Sequence, residues 1–153
     1  RRLPFGIAVR PNTALEGIDG YEYRGARVDL GFRGRGGVES VQLNGRALTH
    51  TLQVPESQLV PGRNTLVVGL GPRALEAPVL TSSTVRLGGV TALGGGVSYE
   101  IEAAGCNVLV FRGRPGLEVR DASGRRWPVR ARSSGTHTAF EFEGRGRYRA
   151  LAR

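Results

Sequence analysis

The chain of 153 residues has no Lys and no Met, only one Cys and one Trp, and no long hydrophobic run. Its 24 Gly and 8 Pro are spread so evenly that no stretch free of both exceeds nine residues. Globular helices run about 8–20 residues and lose stability at interior Gly or Pro, so a helical bundle is excluded. A membrane-spanning helix needs about 20 apolar residues, so we expect no membrane partner.

The absence of Met and the opening Arg1-Arg2 predict that the chain is a segment of a longer polypeptide. We expect one domain over residues 1–153, with a division into 1–76 and 84–153 as the alternative. Cys106 has no partner for an internal disulfide, and its apolar surroundings predict a small buried side chain. One Cys and two His are too few for a four-ligand zinc site, so no metal or cofactor is expected. Nothing indicates a compartment.

All 22 basic residues are Arg, and the net charge is +9. Arg–Gly segments at 34–37, 112–114 and 144–147 resemble segments that bind nucleic acid through phosphate contacts. Each of them falls between two predicted strands, however, where Gly supplies turn geometry and Arg stays solvated. The sequence therefore favours solvated turns, and nucleic-acid or polyanion binding remains the alternative.

Short alternating segments bounded by Gly, Pro, Asn or Asp predict about eleven strands and an all-β, antiparallel, jelly-roll-like sandwich. The predicted strands are 27–32, 38–43, 51–54, 64–70, 83–87, 97–102, 107–111, 117–120, 127–132, 138–143 and 147–151. The Gly-rich segment 88–96 predicts a long loop or crossover. At most a short helical turn is expected, near 56–59 or 73–76.

Two turns are specified by their residues. Asn44-Gly45 fits a type I′ hairpin, which requires a positive φ at both central positions, and residues 122–124 predict a second hairpin. Alternation along the strands then separates an inner from an outer face. The residues expected to face inward are Val28, Leu30, Val41, Leu43, Leu66, Val68, Tyr99, Ile101, Leu109, Phe111, Phe140 and Phe142.

Residues that could perform chemistry do not form a catalytic pattern. Two carboxylate pairs, Glu100 with Glu102 and Glu141 with Glu143, could serve glycoside hydrolysis, but alternation places them on the solvent face of their strands. His50 and His137 both lie between threonines at predicted strand edges. No Gly-x-Ser-x-Gly nucleophile motif occurs. We therefore expect no catalytic residues and no enzymatic activity in this chain.

Carbohydrate binding is the activity that the aromatic residues could support. A sugar ring docks on an exposed Trp or Tyr face, and nearby Arg side chains donate hydrogen bonds to its hydroxyls. Trp127 with Arg126, and Tyr23 with Arg24, are the two candidate platforms. The alternative is that these rings belong to the core or pack against a neighbouring domain.

A family resemblance is carried by Leu-Asn-Gly at 43–45 and Leu-Val-Pro-Gly-Arg-Asn-Thr-Leu-Val-Val at 59–68. This pattern resembles the jelly-roll accessory domains of glycoside hydrolases. Segments 7–11 and 23–28 resemble the entry to the C-terminal β-sandwich of six-hairpin barrel glycosidases and disaccharide phosphorylases. The resemblance covers about residues 5–70. Independently of it, Pro-Gly at 61–62 predicts a turn, and Asn64 is placed to bridge back to the loop.

The resemblance implies a non-catalytic accessory domain that supports the catalytic domain of its parent polypeptide and binds carbohydrate weakly at most. Two other classes of function remain open. One is a structural or protein-interaction module of a different assembly, and the other is an Arg-rich domain that binds nucleic acid or another polyanion.

Overall fold

The computed structural model describes residues 2–10 and 16–153, and 69% of these residues are in strands. The all-β prediction is confirmed, with fifteen strands in the described residues where the sequence predicts eleven. The strands are β1 Arg2–Leu3, β2 Gly6–Ala8, β3 Gly17–Tyr23, β4 Ala26–Gly34, β5 Gly37–Leu43, β6 Arg46–Ala47, β7 Gln53–Pro55, β8 Gly62–Gly71, β9 Val79–Ser83, β10 Arg86–Leu93, β11 Gly96–Arg112, β12 Leu117–Asp121, β13 Arg126–Trp127, β14 Arg130–Ser134 and β15 His137–Ala152. A single 3₁₀ turn at Glu56–Gln58 confirms the predicted helical turn there.

The first part of the chain forms two sheets around one hydrophobic cluster. The larger sheet has the strand order β3-β4-β8-β5-β6, and the smaller one has the order β1-β2-β7. Alternation turns Val41 of β5 and Leu66 of β8 inward, into the same cluster as Ile7 of β2 and Val54 of β7. Two layers that bury a shared apolar face form a sandwich-like arrangement.

One strand pair in this part departs from the antiparallel expectation. Strands β4 and β8 are parallel, from Ala26 opposite Gly62 to Gly34 opposite Leu70. Parallel neighbours need a connection of a dozen or more residues. Residues 35–61 provide it, since they include β5, β6 and β7 before the chain returns beside β4.

The second part is a seven-stranded sheet built on the long hairpin of β11 and β15. These two strands pair from Val97 opposite Ala152 to Arg112 opposite His137. Strands β10 and β9 follow one another along the free side of β11, while β12 and β14 do the same along β15. Strand β13 extends the sheet beyond β12.

The long hairpin bends back on itself. Tyr99 and Phe111 are twelve residues apart on β11, which is about 40 Å along a straight strand. Their ring centroids are nevertheless 5.4 Å apart, in edge-to-face contact. The bend lies between them, where Gly105 has φ +116° and faces Gly144 of β15. The bent sheet thereby encloses its own hydrophobic cluster.

Hydrogen bonds join the two hydrophobic clusters. The Leu52 N–H donates to the Leu80 carbonyl at 2.7 Å, and the Leu80 N–H donates to the His50 carbonyl at 2.9 Å. The buried Tyr99 hydroxyl also donates to the His50 carbonyl, at 2.9 Å. One domain over residues 1–153 stays the prediction, with the division into 1–76 and 84–153 as its alternative.

The sequence predicts that strands end at Gly105 and Gly144, but in the structure both glycines lie inside a strand. The predicted strands on either side of Gly105 are one continuous strand, β11, and those flanking Gly144 are one strand, β15. Two glycines in register put no side chain at the bend, so the ladder curves there without ending. The Arg–Gly segment 144–147 consequently lies within a strand and not in a turn.

Two further predictions are wrong for local reasons. The Gly-rich segment 88–96 is not a long loop, because β10 continues to Leu93 and reaches β11 through the two-residue turn at 94–95. Two consecutive glycines suit such a tight hairpin. The predicted strand 83–87 is interrupted by a bend at 84–85, which separates β9 from β10.

Cys106 is exposed, and its predicted burial is wrong. Alternation with the buried Leu109 turns Asn107 inward and Cys106 outward. The Asn107 amide is satisfied there, since it donates to the carbonyls of Phe142 at 3.2 Å and Gly144 at 3.1 Å. A polar side chain therefore occupies an inner position of a run that reads as apolar.

The predicted turns and faces are otherwise confirmed. Asn44 and Gly45 have φ of 51° and 80° between β5 and β6, and residues 122–124 connect β12 to β13. Of the twelve residues expected to face inward, eleven are buried, and Leu30 is partly buried against the same cluster.

The core assignment can be tested by truncating Leu66, which is 1% exposed. We expect Leu66→Ala to lower the free energy of unfolding by about 2–5 kcal/mol, because it leaves a cavity among packed side chains. The matched control is Leu93→Ala at a side chain that is 51% exposed. Its change should stay within about 0.5 kcal/mol in urea unfolding. Equal effects of the two variants would contradict the assignment.

The junction between the clusters can be tested with Tyr99→Phe. We expect a loss of about 0.5–1.5 kcal/mol at pH 7, since the His50 carbonyl keeps its bond from the Leu80 N–H. Burial raises the pKa of Tyr99, so the unfolded chain ionises first as the pH rises above about 10. The wild type should therefore lose more stability than the variant between pH 9 and 11. An equal loss in both would contradict this.

Candidate binding groove

A groove of about 460 Å³ lies on the outer face of the seven-stranded sheet. Strands β10, β11, β15 and β12 cross it in that order as hydrogen-bonded neighbours. Its charged lining residues are Arg86, Glu100, Glu102, Arg120, Asp121, Arg147 and Arg149. Pockets of about 300–1,000 Å³ are typical of small-molecule sites, so the volume suits a ligand of that size.

Strand register places opposite charges beside each other in the groove. Exposed Glu100 and Glu102 of β11 lie opposite exposed Arg149 and Arg147 of β15, respectively. Glu102 is also approached by Arg86 of β10, with 3.9 Å between its carboxylate and the guanidinium. Among the described residues, no carboxylate forms an ion pair with Arg147 or Arg149.

A cation on the neighbouring strand β12 also lies beside Arg149. Arg120 of β12 lies directly opposite it, and like charges in that position repel each other. Glu118 offsets part of this repulsion, because it forms ion pairs with Arg126 and Arg120. Those guanidiniums, with Arg126 first, hold the pKa of Glu118 below its ordinary value. Arg149 forms no such ion pair among the described residues, although Glu100 lies opposite it on β11.

Asp121 shapes the rim of the groove. Its Oδ1 accepts hydrogen bonds from the Ser123 hydroxyl at 2.6 Å, the Ser123 N–H at 2.9 Å and the Arg125 N–H at 3.0 Å. The bond from the Ser123 hydroxyl is the main cause of the lowered pKa of Asp121. This carboxylate therefore holds the turn between β12 and β13, and its charge is largely engaged within that turn.

Trp127 and Arg126, one predicted sugar platform, lie on β13 beside the groove and do not line it. Trp127 is half-buried, its Nε1–H donates to the Glu143 carbonyl, and its ring makes an edge-to-face contact with Tyr148 at 5.4 Å. Arg126 is held by Glu118. Part of the indole remains accessible, so sugar binding at Trp127 stays a prediction.

Tyr23 and Arg24, the second predicted platform, belong to the other hydrophobic cluster. Tyr23 is 2% exposed, and its hydroxyl donates to the Leu3 carbonyl at 3.1 Å and accepts from the Gly6 N–H at 2.7 Å. A sugar cannot stack on this buried ring, which corrects its predicted role. The N-terminal strands cover it, and the sequence gives no signal for them. Arg24 is exposed and binds the Glu56 carboxylate at 2.9 Å.

The sequence does not predict that the groove residues lie together. It assigns Arg147 to an Arg–Gly turn, and it assigns Glu100 and Glu102 to the solvent face of a strand. The sequence signal that predicts their proximity is the alternation of inward-facing and outward-facing side chains along β11 and along β15. Once these strands are paired, their outer faces put Glu beside Arg.

Both histidines are engaged in local hydrogen bonds. His50 is buried, and its Nδ1 lies 3.0 Å from the Glu76 carbonyl and 3.2 Å from the Pro78 carbonyl, so this nitrogen must carry the proton. His137 is exposed and pairs with the Thr136 hydroxyl at 3.1 Å. Residues 2–10 and 16–153 contain no group of three potential metal ligands and no helix long and apolar enough to span a membrane.

No family model, no curated protein and no solved structure matches the chain. The resemblance to carbohydrate-active enzymes therefore rests on the sequence motifs alone.

The ion pairs of Glu118 predict an acid dependence of stability. Because its pKa is lowered in the folded chain, its contribution is present above the ordinary pKa of 4.5 and is lost as the pH falls through the lower folded value. We expect the free energy of unfolding of the wild type to fall below about pH 4.5, and to fall less steeply in Glu118→Gln. The control is Gln42→Ala, which removes an exposed amide that does not titrate and whose curve should follow the wild type. Parallel curves for wild type and Glu118→Gln between pH 3 and 7 would contradict this.

Proposed function

We propose that the chain is a non-catalytic accessory β-sandwich module of a carbohydrate-active enzyme, either a glycoside hydrolase or a disaccharide phosphorylase. In this proposal it packs against the catalytic module of the parent polypeptide and supports it. The observation that carries the proposal is the contact between Asn44 and Asn64, the two asparagines of the resembling motif. The Asn44 amide donates to Asn64 Oδ1 at 3.1 Å.

This contact is the centre of a closed hydrogen-bond network. Asn64 is fully buried, and its Oδ1 also accepts from the Val60 N–H at 2.9 Å. Its Nδ2 donates to the carbonyls of Val60 at 2.9 Å and Gly62 at 3.1 Å. Asn44 Oδ1 accepts from the Thr65 N–H at 2.8 Å. The network fixes the Pro-Gly turn to the Asn-Gly hairpin, so the motif has a structural role.

A structural role for the motif supports an accessory module better than a catalytic one. Residues that could act as acid or base elsewhere are engaged in the fold or exposed on strands. His50 donates to backbone carbonyls, Asp121 holds a turn, and Glu102 is solvent-exposed beside Arg86. These placements favour a non-catalytic chain, although no single one of them carries the proposal.

A second candidate function, anion binding, is favoured by one observation. Arg147 and Arg149 line a groove and form no ion pair among the described residues. A guanidinium group that forms no ion pair can donate hydrogen bonds to an acidic ligand. Anion binding is compatible with the accessory role, since the groove and the motif lie in different parts of the chain.

The proposed function is tested in the complete polypeptide that carries this chain. Asn64→Ala should lower the temperature at which glycoside turnover is lost and leave kcat at 25 °C unchanged. The reason is that truncating Asn64 leaves buried polar groups unpaired, at about 1–3 kcal/mol. The control is Gln42→Ala, an exposed amide on neighbouring β5, which should not change the inactivation temperature.

Two outcomes would contradict the proposed function. One is a complete reading frame without a carbohydrate-active catalytic region. The other is hydrolysis of glycosides by the 153-residue chain alone, lost on changing a single carboxylate such as Glu100→Gln. Titration of Trp127 fluorescence with neutral oligosaccharides tests the weaker expectation of sugar binding there, and an unchanged signal would exclude Trp127 as a sugar site without affecting the supporting role.

A further inference from the structure

We propose that the groove on the outer face of β10, β11, β15 and β12 binds an oligosaccharide that carries a carboxylate, of the uronic-acid class. That the ligand is a sugar rests on the proposed function. That the sugar is acidic rests on the charged residues of the groove. It names a site different from Trp127 and from the motif around Asn64.

The acidic group of the ligand is expected at Arg149. This guanidinium has Arg120 opposite it on β12 and Arg147 two positions away on the same face of β15. Residues two apart on one face of a strand are about 7 Å apart, so the three cations lie near one another. Like charges so placed repel, and a bound carboxylate would relieve that repulsion. Arg also binds carboxylates through two parallel hydrogen bonds, which favours a planar acid.

The opposite wall of the groove accepts hydrogen bonds. Glu100 and Glu102 project from β11 beside the arginines of β15. Carboxylates accept bonds from sugar hydroxyls, whereas they repel a second negative charge. Four cations and three carboxylates line the groove, a net charge of +1. A ligand with one carboxylate and several hydroxyls fits this pattern, and a polyanion with a charge at every unit does not.

The floor and rim leave room for a chain of sugar rings. Gly88 of β10 and the turn residues Ala122 and Gly124 line the groove with little or no side chain. A Cβ at Gly88 would lie 3.5 Å from the Glu100 carbonyl oxygen, which is ordinary van der Waals contact, so glycine leaves this space unfilled. Tyr148 also lines the groove, but it is only 8% exposed and offers no stacking face. Binding should therefore be weak and sensitive to salt.

The experiment is calorimetric titration of the 153-residue chain with a xylo-oligosaccharide that carries a single glucuronate unit, and with the unsubstituted neutral xylo-oligosaccharide of equal length. We expect measurable binding of the acidic oligomer at low salt and at least about tenfold weaker binding of the neutral one. Arg149→Ala should weaken binding of the glucuronate-bearing oligomer about tenfold. The control is Arg35→Ala, which removes the same charge from the exposed turn after β4 and should change the affinity less than twofold.

Glu100→Gln separates this proposal from polyanion binding. If the carboxylate accepts bonds from sugar hydroxyls, the variant should bind the glucuronate-bearing oligomer more weakly. If the groove instead binds a polyanion, removing the negative charge should strengthen binding of heparin or single-stranded DNA, and that result would overturn the proposal. Absence of binding of the glucuronate-bearing oligomer would overturn it as well. Either failure leaves the accessory role standing, because that role is decided by the reading frame and by Asn64→Ala.

Discussion

The second part of the chain depends on the register between β11 and β15. Every other strand of the seven-stranded sheet except β13 pairs with one of these two. The same register that turns Tyr99 and Ile101 into the core turns Glu100 and Glu102 toward Arg149 and Arg147. A slip by one residue would exchange the two faces and put the carboxylates into the core. Stability and the charge pattern of the groove are therefore set by one contact.

The features that support each proposal lie in different parts of the molecule. The asparagine network around Asn64 lies in the sheet of the first part, and the groove is lined by strands of the second part. The two parts are joined by hydrogen bonds at His50, Leu80 and Tyr99, by the Ser83–Gln53 bond, and by Arg86, whose guanidinium lies 5.1 Å from the centre of the Phe5 ring. Substitutions in the groove should consequently leave the network intact, which is why the two roles can be examined independently.

Local signals were sufficient for turns and faces, but not for strand length or for the groove. Asn44-Gly45 specifies its own hairpin, and alternation identifies which side chains enter the core. Gly105 and Gly144 are predicted to end strands, but they lie opposite each other at a bend within two continuous strands. Only the pairing of β11 with β15 reveals that position. The burial of Tyr23 and the gathering of arginines around Arg149 have the same origin, since both depend on strands distant in sequence.

Strand β14 has consequences for how the molecule behaves in concentrated solution. It is exposed at all five positions and, among the described residues, pairs only with β15, so its other edge has unpaired backbone groups. Such an edge can recruit a strand from another chain and start aggregation. Pro128 just before it, and Arg130 and Arg132 along it, oppose that addition by removing a backbone donor and by charge repulsion. In a chain without lysine, arginine takes over the protection that lysine commonly gives an exposed edge.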